Sequence, residues 1–315
     1  MKKTTDKGQL RGTLLTLAGA TCWGISGCLG QFLFASRALS AGWLVSLRLV
    51  VAGALLTALG FVFEGRRMVA VFTNRRDTLR LLVFAVFGMM FCQYTYYSAV
   101  QYANAGTATV LQTLSAVFIL VYNCLRAHRA PRRLELVAVA GALTGTLLLA
   151  THGNFTSLAL TPRGLLFGLL AAVGAMLYTL LSIGLLGDGY STWSVVGFGM
   201  LFAAVPMWAI FRPWQTAVQW DAQLVLVLAG IITIGTAVAF SLYLTGAAIV
   251  GPLKASLLGS AEPLTAILIS AVFLGARFTG WDLAGFALIL ATVSLLSLPK
   301  KDAVAAARKE KEDVR

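Results

Sequence analysis

Charged side chains are scarce in this sequence. Asp, Glu, Lys and Arg make up 12% of its 315 residues, whereas hydrophobic residues make up 58%. An average soluble domain carries about twice that share of charge, and a disordered chain is polar and rich in charge. A soluble globular protein with this composition could not cover its own surface. Both a soluble enzyme and a disordered protein are therefore excluded.

Cysteine and histidine are also few. The four cysteines lie within or at the end of apolar runs at spacings that do not suit a metal, and the two histidines lie in predicted loops on opposite faces. The sequence contains no G-x-x-x-x-G-K-[ST] motif for ATP and no H-E-x-x-H motif for zinc. We therefore predict no metal site, no cofactor and no direct use of ATP.

Long apolar runs are what the sequence has in abundance, and its mean hydropathy is +0.83. Such runs need the lipid bilayer as solvent, and about 20 apolar residues cross it as a helix. The sequence predicts an all-α membrane protein with ten transmembrane helices, at 12–34, 43–63, 79–101, 105–125, 134–151, 163–186, 192–211, 223–247, 252–274 and 281–298.

The distribution of Lys and Arg predicts the orientation. If the N-terminus faces the cytoplasm, 20 of the 25 basic residues lie on that side, four lie outside and Arg48 lies within a span. Cytoplasmic loops of membrane proteins carry such an excess of positive charge. We predict a multi-pass protein of the inner membrane with both termini in the cytoplasm. The net charge of +13 follows from this topology, so nucleic acid is not a predicted partner.

The ten predicted spans divide into five and five. A shift of 147 residues places Tyr96 on Tyr243 and Glu135 on Asp282 without a gap. We predict a first five-helix repeat at 1–152, a second at 153–298 and a charged cytoplasmic tail at 299–315. Because each repeat has an odd number of spans, the two have opposite orientations, as in many secondary transporters.

Several stretches of the sequence together suggest a family. They are an A-x-x-W-G-x-S run with Ala20, Trp23, Gly24 and Ser26, Arg48 in SLRLVVAGALL, YYSAVQYANAGTATVLQTLSAVF, KASLLGSAEPLTAILISAVFLG with its Glu262-Pro263 pair, and GWDLAGFALILATVSLL. In their order and spacing they resemble the EamA type of the drug/metabolite transporter superfamily, in two copies over nearly the whole chain. The resemblance implies export or exchange of small metabolites, often amino acids.

Two places depart from that family's pattern. Ser115-Ala116 stand in the first copy where the second has Glu262-Pro263, and Ala276-Arg277 follow the FLG motif where the family often has Glu.

Ionisable residues within the predicted spans are candidates for function, because charge at bilayer depth is costly. Glu262, near the centre of the ninth span, is predicted either to couple protons or bind a substrate amine, or to serve as a structural acceptor beside Pro263. Lys254 and Arg48 are candidate charge partners for the substrate. Each is also long enough to reach the membrane surface with its charged end.

Aromatic and amide side chains within the spans complete the predicted substrate site. Together with Glu262, the candidates for lining a cavity are Trp23, Ser26, Gln93, Tyr94, Tyr97, Gln112 and Tyr178. A few polar groups among aromatic rings are typical of a small-molecule site. The alternative is that these groups form hydrogen bonds between helices.

The leading functional prediction is a secondary transporter that exports or exchanges small metabolites by alternating access, with protons as a candidate coupling ion. A non-transporting sensor or scaffold is the alternative. A membrane enzyme is less favoured, because Glu262 is the one central carboxylate and the sequence has no paired acids for catalysis. The predicted partners are a small-molecule substrate and the lipid bilayer.

Overall fold

The fold is helical throughout the part of the chain that the structure, a computed structural model, describes: residues 6–154 and 158–296. In these ranges the α-helices are α1 (Asp6–Arg37), α2 (Ala41–Glu64), α3 (Arg75–Val83), α4 (Phe91–Tyr102), α5 (Ala105–Thr113), α6 (Ser115–Arg126), α7 (Arg133–Thr151), α8 (Pro162–Gly187), α9 (Thr192–Phe211), α10 (Ala222–Ile232), α11 (Ala239–Val250), α12 (Pro252–Gly259), α13 (Ala261–Phe273) and α14 (Gly280–Leu296). The predicted tail at 299–315 lies outside the described residues.

Eight helical segments of the described chain are long and apolar enough to cross a membrane. They are Gly8–Arg37, Ala41–Phe72, Arg75–Tyr102, Ala105–Arg126, Arg133–Thr151, Pro162–Gly187, Thr192–Phe211 and Ala222–Val250. Two shorter apolar helices follow, Leu257–Phe273 and Gly280–Leu296. Each of the ten spans predicted from hydropathy overlaps one of these ten segments.

In four of the apolar segments the regular α-helix is interrupted. A π-helical stretch, Phe84–Met90, joins α3 to α4, and another, Thr233–Val238, joins α10 to α11. Single residues, Leu114 and Ser260, separate α5 from α6 and α12 from α13. A π-turn adds a residue to the helix and is frequent at functional sites. Met89, Thr113, Ser115 and Glu262, which lie within or next to three of these interruptions, line a central cavity.

Local capping explains where many of the helices begin. The side chains of Ser40, Asn104, Thr161 and Asp221 accept hydrogen bonds from the backbone N–H groups that open α2, α5, α8 and α10. Such caps satisfy donors that a helix leaves unpaired in its first turn. Because the bilayer offers these donors no water, the caps mark the ends of the membrane segments.

The first part of the chain, residues 6–154, and the second part, residues 158–296, pack against each other through several helix pairs. α1 packs against α11 and α13 from the second part, α2 packs against α9, α4 against α8, and α7 against α14. Gly24 on α1 lies so close to α13 that a Cβ placed on it would be 2.6 Å from the carbonyl oxygen of Glu262. Small residues at such crossings let helices approach closely in a membrane. The Gly141 and Gly145 pair does the same for α7 against α14.

Candidate functional site

A cavity of about 320 Å³ lies in the interior of the bundle, and both parts of the chain line it. This size is at the lower end of the range for small-molecule sites, roughly 300–1,000 Å³. The side chains that surround it come from α1, α2, α4, α5, α6, α8, α9, α11, α13 and the π-helical stretch Phe84–Met90. The site is therefore a product of the tertiary packing and belongs to no single helix.

The structure brings most of the sequence-predicted residues together at this cavity. Those that line it are Trp23, Ser26, Arg48, Gln93, Tyr97, Gln112, Tyr178 and Glu262. Gln93 and Tyr97 lie one helical turn apart on α4 and therefore share its inner face. Whether these residues bind a substrate stays a prediction.

Two of the predicted residues lie elsewhere. Tyr94 points away from the cavity, and its ring packs against Phe211 and Phe167 with centroids 4.9 and 6.0 Å apart. Its position follows from the helix, because consecutive residues point in directions about 100° apart. Lys254 is exposed on α12, before the interruption at Ser260. It is not among the residues that line this cavity.

Sequence reasoning missed several residues of the cavity wall, namely Met89, Cys92, Tyr96, Thr109, Thr113, Ser115, Ala175, Met200 and Phe240. Tyr96 carried a signal, since the 147-residue shift matches it to Tyr243. Ala175 and Met200 carried none, because apolar residues in a membrane span look alike whether they face lipid, a neighbouring helix or a cavity.

Arg48 is the most heavily bonded polar residue of the wall. Its Nη1 donates to the hydroxyl of Tyr97, while Nη2 donates to the carbonyl oxygen of Gly235 at 3.2 Å and to Thr236 Oγ1 at 3.5 Å. Ser26 Oγ lies 3.3 Å from the same Tyr97 hydroxyl. The guanidinium group therefore ties α2 and α4 to the π-helical stretch of the second part of the chain. With its side chain held there, Arg48 does not extend to the membrane surface.

Glu262 is half-buried in the first turn of α13 and turns its carboxyl group to the cavity. Among the described residues, no side chain or backbone group forms a hydrogen bond or ion pair with this carboxyl group. Pro263 follows it and needs no hydrogen bond here, because the first-turn N–H groups of a helix lack a partner within the helix. An acidic side chain at this position is also favoured by the helix dipole.

The two glutamine amides of the wall are poorly satisfied. Gln93 Nε2 lies 3.9 Å from Met89 Sδ, and Gln112 Nε2 lies 3.6 Å from Cys92 Sγ. Sulfur is a weak acceptor, so these contacts leave most of the hydrogen-bonding capacity of both amides unused. The tyrosine Tyr96 is better satisfied, with its hydroxyl 3.0 Å from Thr109 Oγ1. The cavity thus offers two amides and a carboxyl group to a bound molecule.

Aromatic rings make up much of the remaining wall. The ring of Trp23 packs edge-on against Phe240 and at an angle on Tyr243, with centroids 5.2 and 4.9 Å apart. Tyr178 packs on Phe84, with centroids 5.3 Å apart. Such pairs hold the rings in fixed positions and provide an apolar surface beside the polar groups.

The cavity is closed toward the face of the molecule where α1 ends. Gln31 Oε1 accepts hydrogen bonds from the backbone N–H of Ala105 at 2.8 Å and from Ser270 Oγ at 3.1 Å, which joins α1, α5 and α13. Near that surface, Arg37 pairs with Asp221 at 2.6 Å. The pKa of Asp221 is lowered by the hydrogen bond from the backbone N–H of Leu224, and by the one from Arg37.

Toward the face where α1 begins, the packing differs. α6 packs on α8 and, more lightly, on α7 and α14, while α12 packs on α1 and α11. These two segments continue α5 and α13, which pack directly on each other on the opposite side of the cavity. On one side of the cavity α5 and α13 therefore pack on each other, whereas on the other side α6 and α12 have different main neighbours.

Comparison with known proteins assigns this architecture to a group. The sequence model of the EamA-like transporter family matches residues 10–151 and again residues 162–298. A protein of Salmonella typhimurium described as an uncharacterized inner membrane transporter, YicL, is 37% identical over 291 residues, which are 92% of this chain and 96% of that protein. A solved crystal structure with 18% sequence identity superposes with a TM-score of 0.58, over 93% of this chain and 96% of the other. This last likeness concerns the fold alone.

Proposed function

Because this chain belongs to the EamA-like transporter family and is a multi-pass transporter of the inner membrane, we propose that it moves small metabolites, such as amino acids or related compounds, by alternating access as a secondary transporter. The observation that carries the proposal is the central cavity, which both parts of the chain line with aromatic rings, amides and an unpaired carboxyl group. A site at the junction of two half-bundles is typical of such transporters.

The proposed architecture is ten transmembrane helices in two inverted five-helix repeats, at 1–152 and 153–298. The placement of irregular structure supports it. The two π-helical stretches begin 149 residues apart, at Phe84 and Thr233, and the interruptions at Leu114 and Ser260 lie 146 residues apart. Both distances are close to the shift of 147 residues that aligns the two parts of the sequence.

Side-chain contacts repeat with the same spacing. Glu135 accepts a hydrogen bond from the backbone N–H of Arg132 at 2.8 Å, and its counterpart Asp282 does so from Thr279 at 2.8 Å. Tyr96 shares a hydrogen bond with Thr109 through its hydroxyl, and its counterpart Tyr243 donates to the carbonyl oxygen of Ala255 at 3.1 Å, one residue before the position that corresponds to Thr109. Matching contacts of this kind are expected of two copies of one fold.

In the proposed cycle, the conformation described above is the one open to the cytoplasm. The excess of Lys and Arg favours the face where α1 begins as the cytoplasmic side. On that side α6 and α12 have different main neighbours, whereas α5 and α13 pack on each other on the opposite side. Rocking of the two half-bundles would separate α5 from α13 and bring α6 and α12 together. A solute that binds these two conformations with different affinities shifts the equilibrium between them.

Within this cycle, Glu262 takes up a proton or binds a substrate amine. Its carboxyl group faces the cavity without a partner, in a place where charge costs about 2.5–3.5 kcal/mol on insertion scales. A group that is costly when charged and unpaired gains most from a proton or a cationic ligand. The structural alternative, an acceptor for helix backbone, would require a bond to a neighbouring helix.

The test is solute flux in proteoliposomes that contain the full chain, with a panel of labelled amino acids and an imposed pH gradient. We expect flux by the wild type that depends on the gradient, and loss of proton uptake in Glu262→Gln. Asp221→Asn is the matched control, because it neutralises a carboxylate outside the cavity. Flux and pH dependence that are unchanged in Glu262→Gln would remove this residue from the mechanism. Binding without turnover across the panel would favour a sensor or scaffold.

A further inference from the structure

The cavity contains a buried cation, and Glu262, a carboxylate of the same wall, interacts with it across the cavity without forming an ion pair. The side chain of Arg48 lines the cavity, and the residue is only 6% exposed. Within residues 6–154 and 158–296, no carboxylate forms an ion pair with it. Its acceptors are a hydroxyl of Tyr97, a carbonyl oxygen of Gly235 and a hydroxyl of Thr236. These groups satisfy N–H donors but supply no negative charge.

The guanidinium group is also incompletely bonded. It has five N–H donors, and the Nε atom is enclosed by protein without an acceptor. A buried charge normally has a partner, because the loss of hydration is not repaid otherwise. Arg48 lies about 10 Å along the helix axis from the start of α2, so its charge is held well below the surface.

From these contacts we propose that Arg48 binds a carboxylate of the transported solute, through its terminal nitrogen atoms. The inference rests on the proposed function and narrows its substrate to molecules with a carboxylate. A guanidinium group matches a carboxylate in shape and forms two parallel hydrogen bonds with it. Glu262 lines the same cavity. A zwitterionic solute would therefore place its carboxylate at Arg48 and its amine at Glu262.

The same contacts connect binding to the packing of the two parts of the chain. Arg48 stands on α2 and donates to Gly235 and Thr236 of the π-helical stretch of the second part. A solute carboxylate competes with these neutral acceptors for the guanidinium group, since hydrogen bonds between charged groups are about twice as strong. Binding therefore weakens a bond between the two half-bundles, which is the coupling that alternating access needs.

The experiment compares matched ligands on the full chain purified in detergent. The probes are phenylalanine and leucine, the amines phenethylamine and 3-methylbutylamine, which lack only the carboxylate, and 3-phenylpropanoate, which lacks only the amine. Binding is measured as ligand-induced thermal stabilisation. We expect the carboxylate-bearing probes to stabilise the wild type and the two amines not to do so. This comparison needs no variant, so it holds even if changes at Arg48 impair folding.

Variants then test whether the preference for carboxylates depends on Arg48. In Arg48→Lys, which keeps the charge and loses the planar group, we expect carboxylate binding to weaken roughly ten- to hundredfold. Tyr97→Phe removes an acceptor of Arg48 and keeps its charge, so the preference for carboxylates over amines should remain. Arg277→Lys is the matched control, because it makes the same change at an exposed arginine outside the cavity.

Three results would overturn the proposal: no stabilisation by any carboxylate, equal stabilisation by the amines, or unchanged carboxylate affinity in a folded Arg48→Lys. The flux of the same probes in proteoliposomes distinguishes failure of the Arg48 proposal from failure of the transport proposal. Proteoliposomes that transport the amines as well as the amino acids would leave a transporter in which Arg48 is structural. Carboxylate binding without flux of any probe would leave the anion site and contradict the transport proposal.

Discussion

Arg48 and Glu262 line one cavity and interact across it, but they form no ion pair with each other. The guanidinium group is held by Tyr97, Gly235 and Thr236, and the carboxyl group stands in the first turn of α13. A direct ion pair between them would satisfy both groups and leave little for a ligand. Because the protein bonds one of them to neutral acceptors and leaves the other free, both remain available to a solute.

Asp221 allows a prediction about pH at the residue scale. The backbone N–H of Leu224 and the guanidinium group of Arg37 lower the pKa of Asp221 below its usual 3.8. A lowered pKa means that the carboxylate stabilises the folded state at all pH values above its unfolded pKa, and that this contribution is lost only on acidification through the folded pKa. We therefore expect Asp221 to stay ionised from pH 5 to 8.

The measurement is the pH profile of solute flux over that interval. Asp221→Asn should have a profile of the same shape as the wild type, even if the absolute rate changes, whereas Glu262→Gln should flatten it. A profile that changes shape in Asp221→Asn between pH 5 and 8 would contradict this assignment.

At the scale of elements, helix α1 packs closely against its neighbours through glycines. Three of its glycines, Gly24, Gly27 and Gly30, lie against the backbone of Glu262 and the rings of Tyr96 and Tyr97. Their spacing of three places them along one face of the helix. This face brings α4 and α13 to the distance at which their polar side chains border one cavity.

Gly24→Ala tests this packing. Its Cβ would lie 2.6 Å from the carbonyl oxygen of Glu262, which is backbone and cannot rotate away. We expect a loss of about 1–3 kcal/mol of stability, the usual cost of overpacking, together with loss of ligand binding. Thermal unfolding in detergent measures the first, and ligand-induced stabilisation measures the second.

Gly187→Ala is the matched control for this change. It lies at the end of α8, where a Cβ would meet no heavy atom of the described chain within 4 Å. We expect its melting temperature to equal that of the wild type or to rise slightly, since alanine favours helix more than glycine does. Equal stability of the two variants would show that the contact between α1 and α13 is not tight.

The π-helical stretches Phe84–Met90 and Thr233–Val238 are the second feature at the element scale. A π-turn leaves backbone carbonyl groups poorly aligned with donors of their own helix, so other donors can reach them. Arg48 uses this opening when it donates to Gly235. The irregular backbone is buried in the protein, which is the condition under which a membrane protein tolerates it.

For the whole molecule, the asymmetry between the two sides of the cavity predicts its accessibility. α5 and α13 pack closely, and a Cβ on Gly106 would lie 3.1 Å from the Cα of Ile267. α6 and α12 pack on different neighbours. A membrane-impermeant thiol reagent should therefore reach the cavity from the side where α1 begins and not from the other.

The measurement uses single cysteines in a chain whose four native cysteines are replaced. Ser115→Cys, on the cavity wall, should react in inside-out vesicles and not in right-side-out ones. Thr107→Cys, buried in α5, should react in neither, and Arg277→Cys is the exposed control for the side opposite the α1 start. Reaction of Ser115→Cys only from the outside would show that the resting protein opens the other way.

The positions of the long apolar helices could be read from the residues, and so could much of the cavity wall, whereas the inverted repeat stays a prediction. Hydropathy is a local property, so runs of apolar residues place helices without knowledge of their neighbours. Polar side chains such as Gln93 and Tyr97 stand out inside those runs because their burial is costly anywhere in a bilayer. Tyr94 was predicted to line the cavity but packs elsewhere, because residue type alone does not show which face of the helix a tyrosine occupies.

Which residues meet, and on which side the cavity is sealed, depended on the packing of helices that are distant in the sequence. Arg48 and Gly235 are 187 residues apart, and no local pattern relates them. Ala175 and Met200 border the cavity because of the way α8 and α9 are turned, which hydropathy does not encode. Composition and periodicity act along the chain, whereas a shared cavity arises only where several helix surfaces leave space between them.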